Sequence, residues 1–173
     1  SLEHEVIKIK NKDKNKIYKY SICLNEMSFE RFKKEIKKKI KLNKLEKNSD
    51  HVILKSIEKP SKIVPILENF TEISLVGYGK SIEIFKQVGK PSNVVKKFDL
   101  NKFSGSHAIG HTRMATESAI TTNGSHPYST GEDECLVHNG SLSNHNNLRR
   151  KLKKNGSKFN SDNDTEVAAG YIS

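Results

Sequence analysis

Residues 135–156 read CLVHNGSLSNHNNLRRKLKKNG, and this stretch predicts a strand, a turn and a helix in succession. The apolar run 135–137 is typical of a buried strand, and the His138-Asn139-Gly140 that follows is a turn signal. Asn144 can cap a helix, which Asn155-Gly156 would end. The polar turn should therefore lie between two elements that a core holds in place.

Outside this stretch, the sequence predicts a strand, a loop and a last helix. Residues 106–111 form a short candidate for a buried strand. Residues 117–133 hold many Thr, Ser, Gly and Asn and predict a loop. Asp164 or Thr165 would open the last helix.

The first hundred residues predict a small α+β unit. Residues 4–10 and 17–24 are rich in β-branched and aromatic residues, and the polar residues 11–16 between them predict a hairpin. Ser28 can cap the first helix. The remaining predictions are a polar break at 43–50, strands at 51–57 and 73–76, and short helices at 81–88 and 92–98. We therefore divide the chain into a lysine-rich α+β subdomain at 1–100 and a second part at 101–173.

The net charge of +11 is carried almost entirely by the first part. Residues 1–100 have a balance of +10 and residues 101–173 a balance of +1. The basic residues are nearly all lysine, whereas nucleic-acid readers also use arginine forks and stacked aromatic rings. We favour a solvated lysine surface and keep a basic nucleic-acid-binding module as the minor alternative.

The composition also indicates which cellular compartment and which cofactors to expect. There is no long apolar run and no basic-then-apolar leader, so we expect neither a membrane span nor export. The two cysteines, Cys23 and Cys135, fit no metal spacing and are interpreted as buried thiols of a cytoplasmic protein. We predict no metal and no cofactor.

Four short clusters contain the residues that could do chemistry: HTRMAT at 111–116, HP at 126–127, HNG at 138–140 and DTE at 164–166. In this order they resemble the motifs of class II glutamine amidotransferases, the group with an N-terminal nucleophile. The resemblance covers residues 105–172. It implies an Ntn-hydrolase-like four-layer αββα sandwich of antiparallel sheets, here partial, with the first part as an α+β insertion.

The resemblance implies a pocket for glutamine, whose polar groups need different partners. The fork of Arg113 would bind the α-carboxylate bidentately, and Thr116 would add a hydroxyl donor. Asp164, at a helix start, would accept the α-ammonium. The Asn139 side chain and the Gly140 backbone N–H would supply the two donors that the oxyanion of the reaction needs.

Each of these roles has a structural alternative. Arg113 could pair with Glu117 on a surface, Asn139-Gly140 could be an ordinary turn, and Asp164 could simply cap a helix. His126 is assigned to the substrate-binding set on its HP landmark. We nevertheless expect the motif histidines to be hydrogen-bonded scaffold residues rather than bases.

The family's nucleophile is a cysteine at the start of the mature chain, whose own α-amine acts as the base. Cys23 and Cys135 both lie in predicted strands, and we interpret Ser1 as a remnant of an added sequence. We therefore expect an upstream segment in the natural protein and predict that this chain binds glutamine without turnover. A non-catalytic regulatory module that binds glutamine or glutamate is the alternative.

Two phrases, GHTRMATES at 110–118 and VHNGSLSNH at 137–145, are most similar to one subgroup of the family. This is the stand-alone amidotransferase subunit of N-methylglutamate synthase and of glutamate-synthase-like complexes. The similarity implies synthase subunits that accept the ammonia released from glutamine. The chain departs from the family at Met114, where a tryptophan is usual, and at Glu117, where a histidine is usual.

Overall fold

The computed structural model describes the backbone of residues 2–9, 17–114 and 120–173, and the side chains of residues 17–112 and 120–173. Its strands are β1 (Leu2–Ile9), β2 (Tyr18–Leu24), β3 (Lys44–Asn48), β4 (His51–Ser56), β5 (Ile73–Gly79), β6 (Ile82–Val88) and β7 (His107–Met114). Its α-helices are α1 (Phe29–Lys39), α2 (Pro60–Glu68), α3 (Pro91–Phe98), α4 (His145–Lys154) and α5 (Asp164–Ile172).

The strands form two antiparallel sheets. Sheet A has the order β6-β1-β7, and sheet B has the order β3-β4-β2-β5. The mixed α/β class with antiparallel sheets is therefore as predicted. Sheet A takes strands from both parts of the chain, and the division at residue 100 stays a prediction.

The main core lies between sheet B and the first two helices. Tyr20 and Ile22 of β2 are fully buried there against Phe32 of α1 and Ile63 of α2. Helix α1 begins where predicted, because the Ser28 side chain accepts a hydrogen bond from the Arg31 backbone N–H at 3.3 Å. Burial of this apolar set is the main force that holds sheet B and the two helices together.

The other face of β2 packs on β6 of sheet A. Since successive side chains of a strand point to opposite faces, Lys19, Ser21 and Cys23 all point this way. The Ser21 hydroxyl accepts from the Ile84 backbone N–H at 3.1 Å, and Lys19 forms a buried ion pair with Glu83 at 3.4 Å. Polar contacts therefore set how the two sheets meet.

Two predictions for the first part of the chain are wrong, the hairpin and the helix at 81–88. Strands β1 and β2 exist, but they do not form a hairpin, because β1 pairs with β6 and β7 while β2 pairs with β4 and β5. Residues 82–88 form the strand β6 instead of a helix. This strand is buried on both faces over 82–86, so its sequence lacks the simple alternation of a half-exposed strand.

Three further predictions need correction. The predicted break at 43–50 contains the edge strand β3, which turns into β4 through Ser49 at a φ of 58°. Residues 135–137 form no regular strand, only an isolated bridge between Leu136 and Tyr128. The predicted strand at 106–111 is present as β7, but residues 107–110 are exposed because β7 is an edge strand.

The other predicted elements are confirmed. They are the strands that became β4 and β5, the helices α3, α4 and α5, and the loop from 117 onward over its described residues 120–133. Helix α2 was not predicted, because it contains Pro60 and Pro65. None of the helices in the described part of the chain has the length and apolar character needed to cross a membrane.

Asp133 anchors the loop 120–137 to the turn between β5 and β6. Its carboxylate accepts backbone N–H groups from Lys80, Ser81 and Ile82 at 2.9, 2.7 and 3.0 Å. Its own N–H donates to the Tyr78 carbonyl at 2.9 Å. One side chain from the second part of the chain therefore accepts the backbone N–H groups of the turn that connects sheet B to sheet A.

We predict that Asp133→Ala lowers the free energy of unfolding by about 2 kcal/mol, because three backbone donors lose a charged acceptor. Urea denaturation followed by far-UV circular dichroism measures the change. Asp162→Ala, which removes an exposed carboxylate in the same part of the chain, is the control. Equal stability of the two variants would contradict the anchoring role.

Candidate active site

Residues from the four motif clusters converge at the start of α5. The His111 and His126 rings lie with centroids 4.3 Å apart and planes tilted by 36°. The Thr165 hydroxyl lies 2.8 Å from His126 Nε2 and 3.4 Å from His138 Nδ1. The clusters that the sequence separates by up to 54 positions are thus joined by side-chain contacts around a single hydroxyl.

Asp164 is held in place by the backbone that follows the HNG turn. The Asn163 side chain caps α5 by accepting from the Thr165 N–H at 2.9 Å, so Asp164 is the first residue of the helix. Its Oδ2 accepts from the Leu142 N–H at 2.6 Å. The predicted ammonium acceptor is therefore tied to the segment directly after Asn139 and Gly140.

Asn139 and Gly140 are exposed at the surface of this cluster. A Cβ atom at position 140 would lie 2.7 Å from His138 Nε2, closer than such contacts allow. The absence of a Cβ at this position therefore makes room for the imidazole ring.

Part of the predicted pocket lies outside the described residues. Arg113 is described by its backbone alone, which pairs with Glu3 in sheet A. Thr116 lies outside the described residues altogether. The carboxylate clamp assigned to these two residues stays a prediction.

His126 is buried, with 4% of its surface exposed, and its ring meets Tyr128 edge-on at 5.1 Å. Burial lowers the pKa of His126 to about 4, with a smaller lowering by His138 and an opposing effect of Asp164. Its imidazole is therefore neutral at neutral pH. Its contacts are those of the expected scaffold role, and direct contact with a substrate stays a prediction.

Two charged residues that matter here were missed or undervalued in the sequence. Arg149 donates to the Ser161 carbonyl at 2.6 Å and the Asn163 carbonyl at 2.9 Å, and its guanidinium lies 5.2 Å from the centroid of the Phe159 ring. Glu166, the last residue of the DTE cluster, was assigned no role in the site and is buried. The signal for Arg149 was an arginine on the same face of α4 as its leucines.

The Glu166 carboxylate bonds the loop before α5. Its Oε1 accepts from the Asn160 N–H, and its Oε2 accepts from the Ser161 N–H and hydroxyl, each at 2.8 Å. Arg149 thus donates hydrogen bonds to carbonyl groups of the loop 159–163, and Glu166 accepts hydrogen bonds from N–H groups of the same loop. This loop sets where Asp164 and Thr165 lie.

Neither cysteine in the described residues has the properties of a nucleophile. Burial raises the pKa of Cys23 and that of Cys135 to about 11 in each case. Cys23 also lies near Asp50 and His51, with one potential ligand atom from each within 4.8 Å of the others. We assign no metal there, because Asp50 already binds the His51 ring at 2.9 Å and the Lys97 ammonium at 2.7 Å.

The region that contains this site is similar to known proteins. Residues 100–172 match the family model of the glutamine amidotransferase domain. The glutamine amidotransferase-like protein GlxB of Rhizobium meliloti is 62% identical over 101 residues, which are 58% of this chain and 34% of that protein.

Two glutamine–fructose-6-phosphate aminotransferases (isomerizing) are also similar to this chain. The protein of Wigglesworthia glossinidia brevipalpis is 43% identical over 103 residues, which are 58% of this chain and 16% of the relative. That of Methanococcus maripaludis is 37% identical over 124 residues, which are 66% and 20%. The aligned chain spans about a third or less of each of these relatives.

We predict that the His126 imidazole stays neutral until the pH falls to about 4. Between pH 6.5 and 4 the unfolded chain binds a proton at this residue that the folded chain does not. His126 therefore makes the free energy of unfolding fall as the pH drops through this window. An NMR pH titration, with the signal assigned by its loss in His126→Asn, measures the pKa. A midpoint near 6.5 would contradict burial as the dominant effect.

We predict that Arg149→Lys lowers the free energy of unfolding by about 2 kcal/mol, because lysine cannot bond two carbonyl groups with a planar fork. Chemical denaturation measures the loss. Arg150→Lys, at the exposed neighbour in α4, should change stability by less than about 0.5 kcal/mol. A loss of the same size in both variants would show that the loop does not depend on Arg149.

Proposed function

Because residues 100–172 belong to the glutamine amidotransferase domain family, we propose that this chain forms the glutamine-binding part of a class II amidotransferase. In the complete reaction, glutamine and water give glutamate and ammonia, and the ammonia passes to a synthase partner. The proposal assigns the glutamine to the cluster formed by residues 138–140 and the start of α5.

One observation carries the proposal. His138 comes from the HNG cluster, and Asp164 and Thr165 come from the DTE cluster. The two clusters meet through the 2.6 Å bond from the Leu142 N–H to Asp164 and through the Thr165 hydroxyl, which lies 3.4 Å from His138 Nδ1. An ordinary turn at 138–140 would need neither the half-buried carboxylate nor the buried hydroxyl of a helix that begins 24 residues further along. The arrangement favours a site over the alternative of a plain turn.

The roles follow from the chemistry of the ligand. Asp164, half-buried at a helix start, would take the α-ammonium through a charge-assisted hydrogen bond. Arg113 and Thr116 would bind the α-carboxylate, and His126 would support the pocket floor. The exposed Asn139 amide and the Gly140 N–H would donate to the amide oxygen as it becomes an oxyanion.

We propose that neither cysteine of the described residues is the attacking group. Burial raises the pKa of both thiols, which disfavours the reactive thiolate; Cys23 is buried and Cys135 is half-buried. In the proposed mechanism a cysteine thiolate attacks the amide carbon, the C–N bond of the tetrahedral intermediate breaks, and ammonia leaves with a proton. Water then releases glutamate from the thioester.

The architecture supports the same proposal at a coarser level. Helices α1 and α2 cover sheet B, and β6 of sheet A packs on its other face. We propose that these are three of the layers of the four-layer Ntn sandwich. The partner would be a synthase that consumes ammonia, of the N-methylglutamate synthase or glutamate-synthase-like kind.

We predict that the chain binds L-glutamine and that Asp164→Asn weakens the binding at least about tenfold, because a neutral amide replaces the charged acceptor. Isothermal titration calorimetry measures both affinities. Arg113→Ala should weaken the binding by a similar factor through loss of the carboxylate fork.

Asp162→Asn and Arg150→Ala are the matched controls, since both residues are exposed in the same part of the chain. They should bind glutamine like the parent chain. Unchanged affinity in Asp164→Asn and Arg113→Ala would refute the assigned pocket. Binding that persists in the full-length protein without any glutaminase activity would favour the non-catalytic regulatory module instead.

A further inference from the structure

The Thr165 hydroxyl occupies a central position in the site. Thr165 is 1% exposed, and its Oγ1 lies 2.8 Å from His126 Nε2 and 3.4 Å from both His138 Nδ1 and Asp164 Oδ1. Three polar groups from three different motifs therefore share one small hydroxyl. A purely structural helix residue would not need such a set of neighbours.

We propose that Thr165 is a positioning residue that fixes the oxyanion donors relative to the ammonium acceptor. The inference rests on the function proposed above and deepens it. Thr165 does not touch the substrate in this scheme. It acts through His138, which directly precedes the Asn139 and Gly140 donors, and through its own neighbour Asp164 in α5.

The hydrogen-bonding capacity of the hydroxyl explains why threonine is needed. A hydroxyl has one proton to donate and can accept two, and a neutral imidazole has one donor and one acceptor nitrogen. If His126 Nε2–H donates to Thr165, the hydroxyl proton is free to reach His138 Nδ1 or Asp164 Oδ1. The tautomers of the two rings are therefore linked through this side chain. Valine has the same shape and provides no such link.

Further contacts fix both Thr165 and His138, the two residues that this hydrogen-bonded link connects. The Thr165 backbone N–H donates to the Asn163 side chain, and Arg149 donates to the Asn163 carbonyl, each at 2.9 Å. At the other end, the His138 ring packs so closely on Gly140 that a Cβ there would lie 2.7 Å from Nε2. The ring therefore fills the space beside the Gly140 Cα, and we infer that its position and that of the proposed oxyanion donor depend on each other.

The test compares Thr165→Val with Thr165→Ser in the whole chain. In the valine variant, we expect amide hydrogen exchange of residues 138–142 to rise about tenfold. Long-range proton–nitrogen NMR spectra should show altered tautomer populations at His126 and His138. The serine variant keeps the hydroxyl and should stay within about twofold of the parent exchange rates.

Thr130→Val is the matched control, because its hydroxyl contacts only the Ser173 hydroxyl, at 2.5 Å, among the contacts described for it. It should leave residues 138–142 unchanged. Parent-like exchange and tautomers in Thr165→Val would overturn the inference. If the valine variant does not fold, the proton–nitrogen NMR spectrum of the parent chain provides the test. A mixture of tautomers on the His126 or the His138 ring would then overturn the proposed link between the two rings.

The affinity of the variants for L-glutamine distinguishes a failure of this inference from a failure of the proposed function. Thr165→Val should weaken L-glutamine binding about fivefold while Thr165→Ser restores it. If Thr165→Val loosens residues 138–142 but neither it nor Asp164→Asn changes glutamine affinity, the glutamine pocket is wrong and the structural link remains. If only Asp164→Asn weakens binding, the pocket stands and the positioning role falls.

Discussion

The site depends on how the loop 159–163 meets its need for backbone hydrogen bonds. A loop cannot use the ladder of a helix or sheet, and buried backbone groups without partners are costly. Here the partners are charged side chains: Arg149 bonds the carbonyl groups of residues 161 and 163, and Glu166 bonds the N–H groups of residues 160 and 161. Because hydrogen bonds to ionised groups are the stronger kind, this loop can position the first turn of α5 with little freedom. The placement of Asp164 and Thr165, and therefore the site, follows from it.

A second constraint acts on the scaffold, through the two faces of β2. One face carries Tyr20 and Ile22 into the apolar core under α1 and α2, while the other carries Lys19, Ser21 and Cys23 towards β6. An apolar interface tolerates sliding because the hydrophobic effect has no direction. The buried ion pair of Lys19 with Glu83 and the bond from Ile84 to Ser21 have direction, so they fix the relative position of the sheets.

Local patterns predicted the elements well where the pattern was complete. The cap residue Ser28 predicted the start of α1, and the apolar stretches at 51–57 and 73–76 predicted β4 and β5. Pairing was not predictable, because β1 and β2 look like a hairpin in sequence and enter different sheets through contacts with β6 and β7. The motif residues that meet at Thr165 were found from the resemblance, whereas the supporting roles of Arg149 and Glu166 were not. Their roles depend on the backbone conformation of a loop, which leaves no periodic trace in the sequence.

The anchoring of the β5–β6 turn by Asp133 also bears on how the chain folds. The carboxylate and the amides it accepts are separated by 51 to 53 positions. The crossover from sheet B to sheet A therefore cannot be completed until a distant loop has arrived, and such non-local closure slows folding. Sheet B and its two helices take all their elements from Tyr18–Gly79, so they can assemble before that event. The step that locks the two sheets together is thus also the step that brings the motif-bearing half of the chain into place.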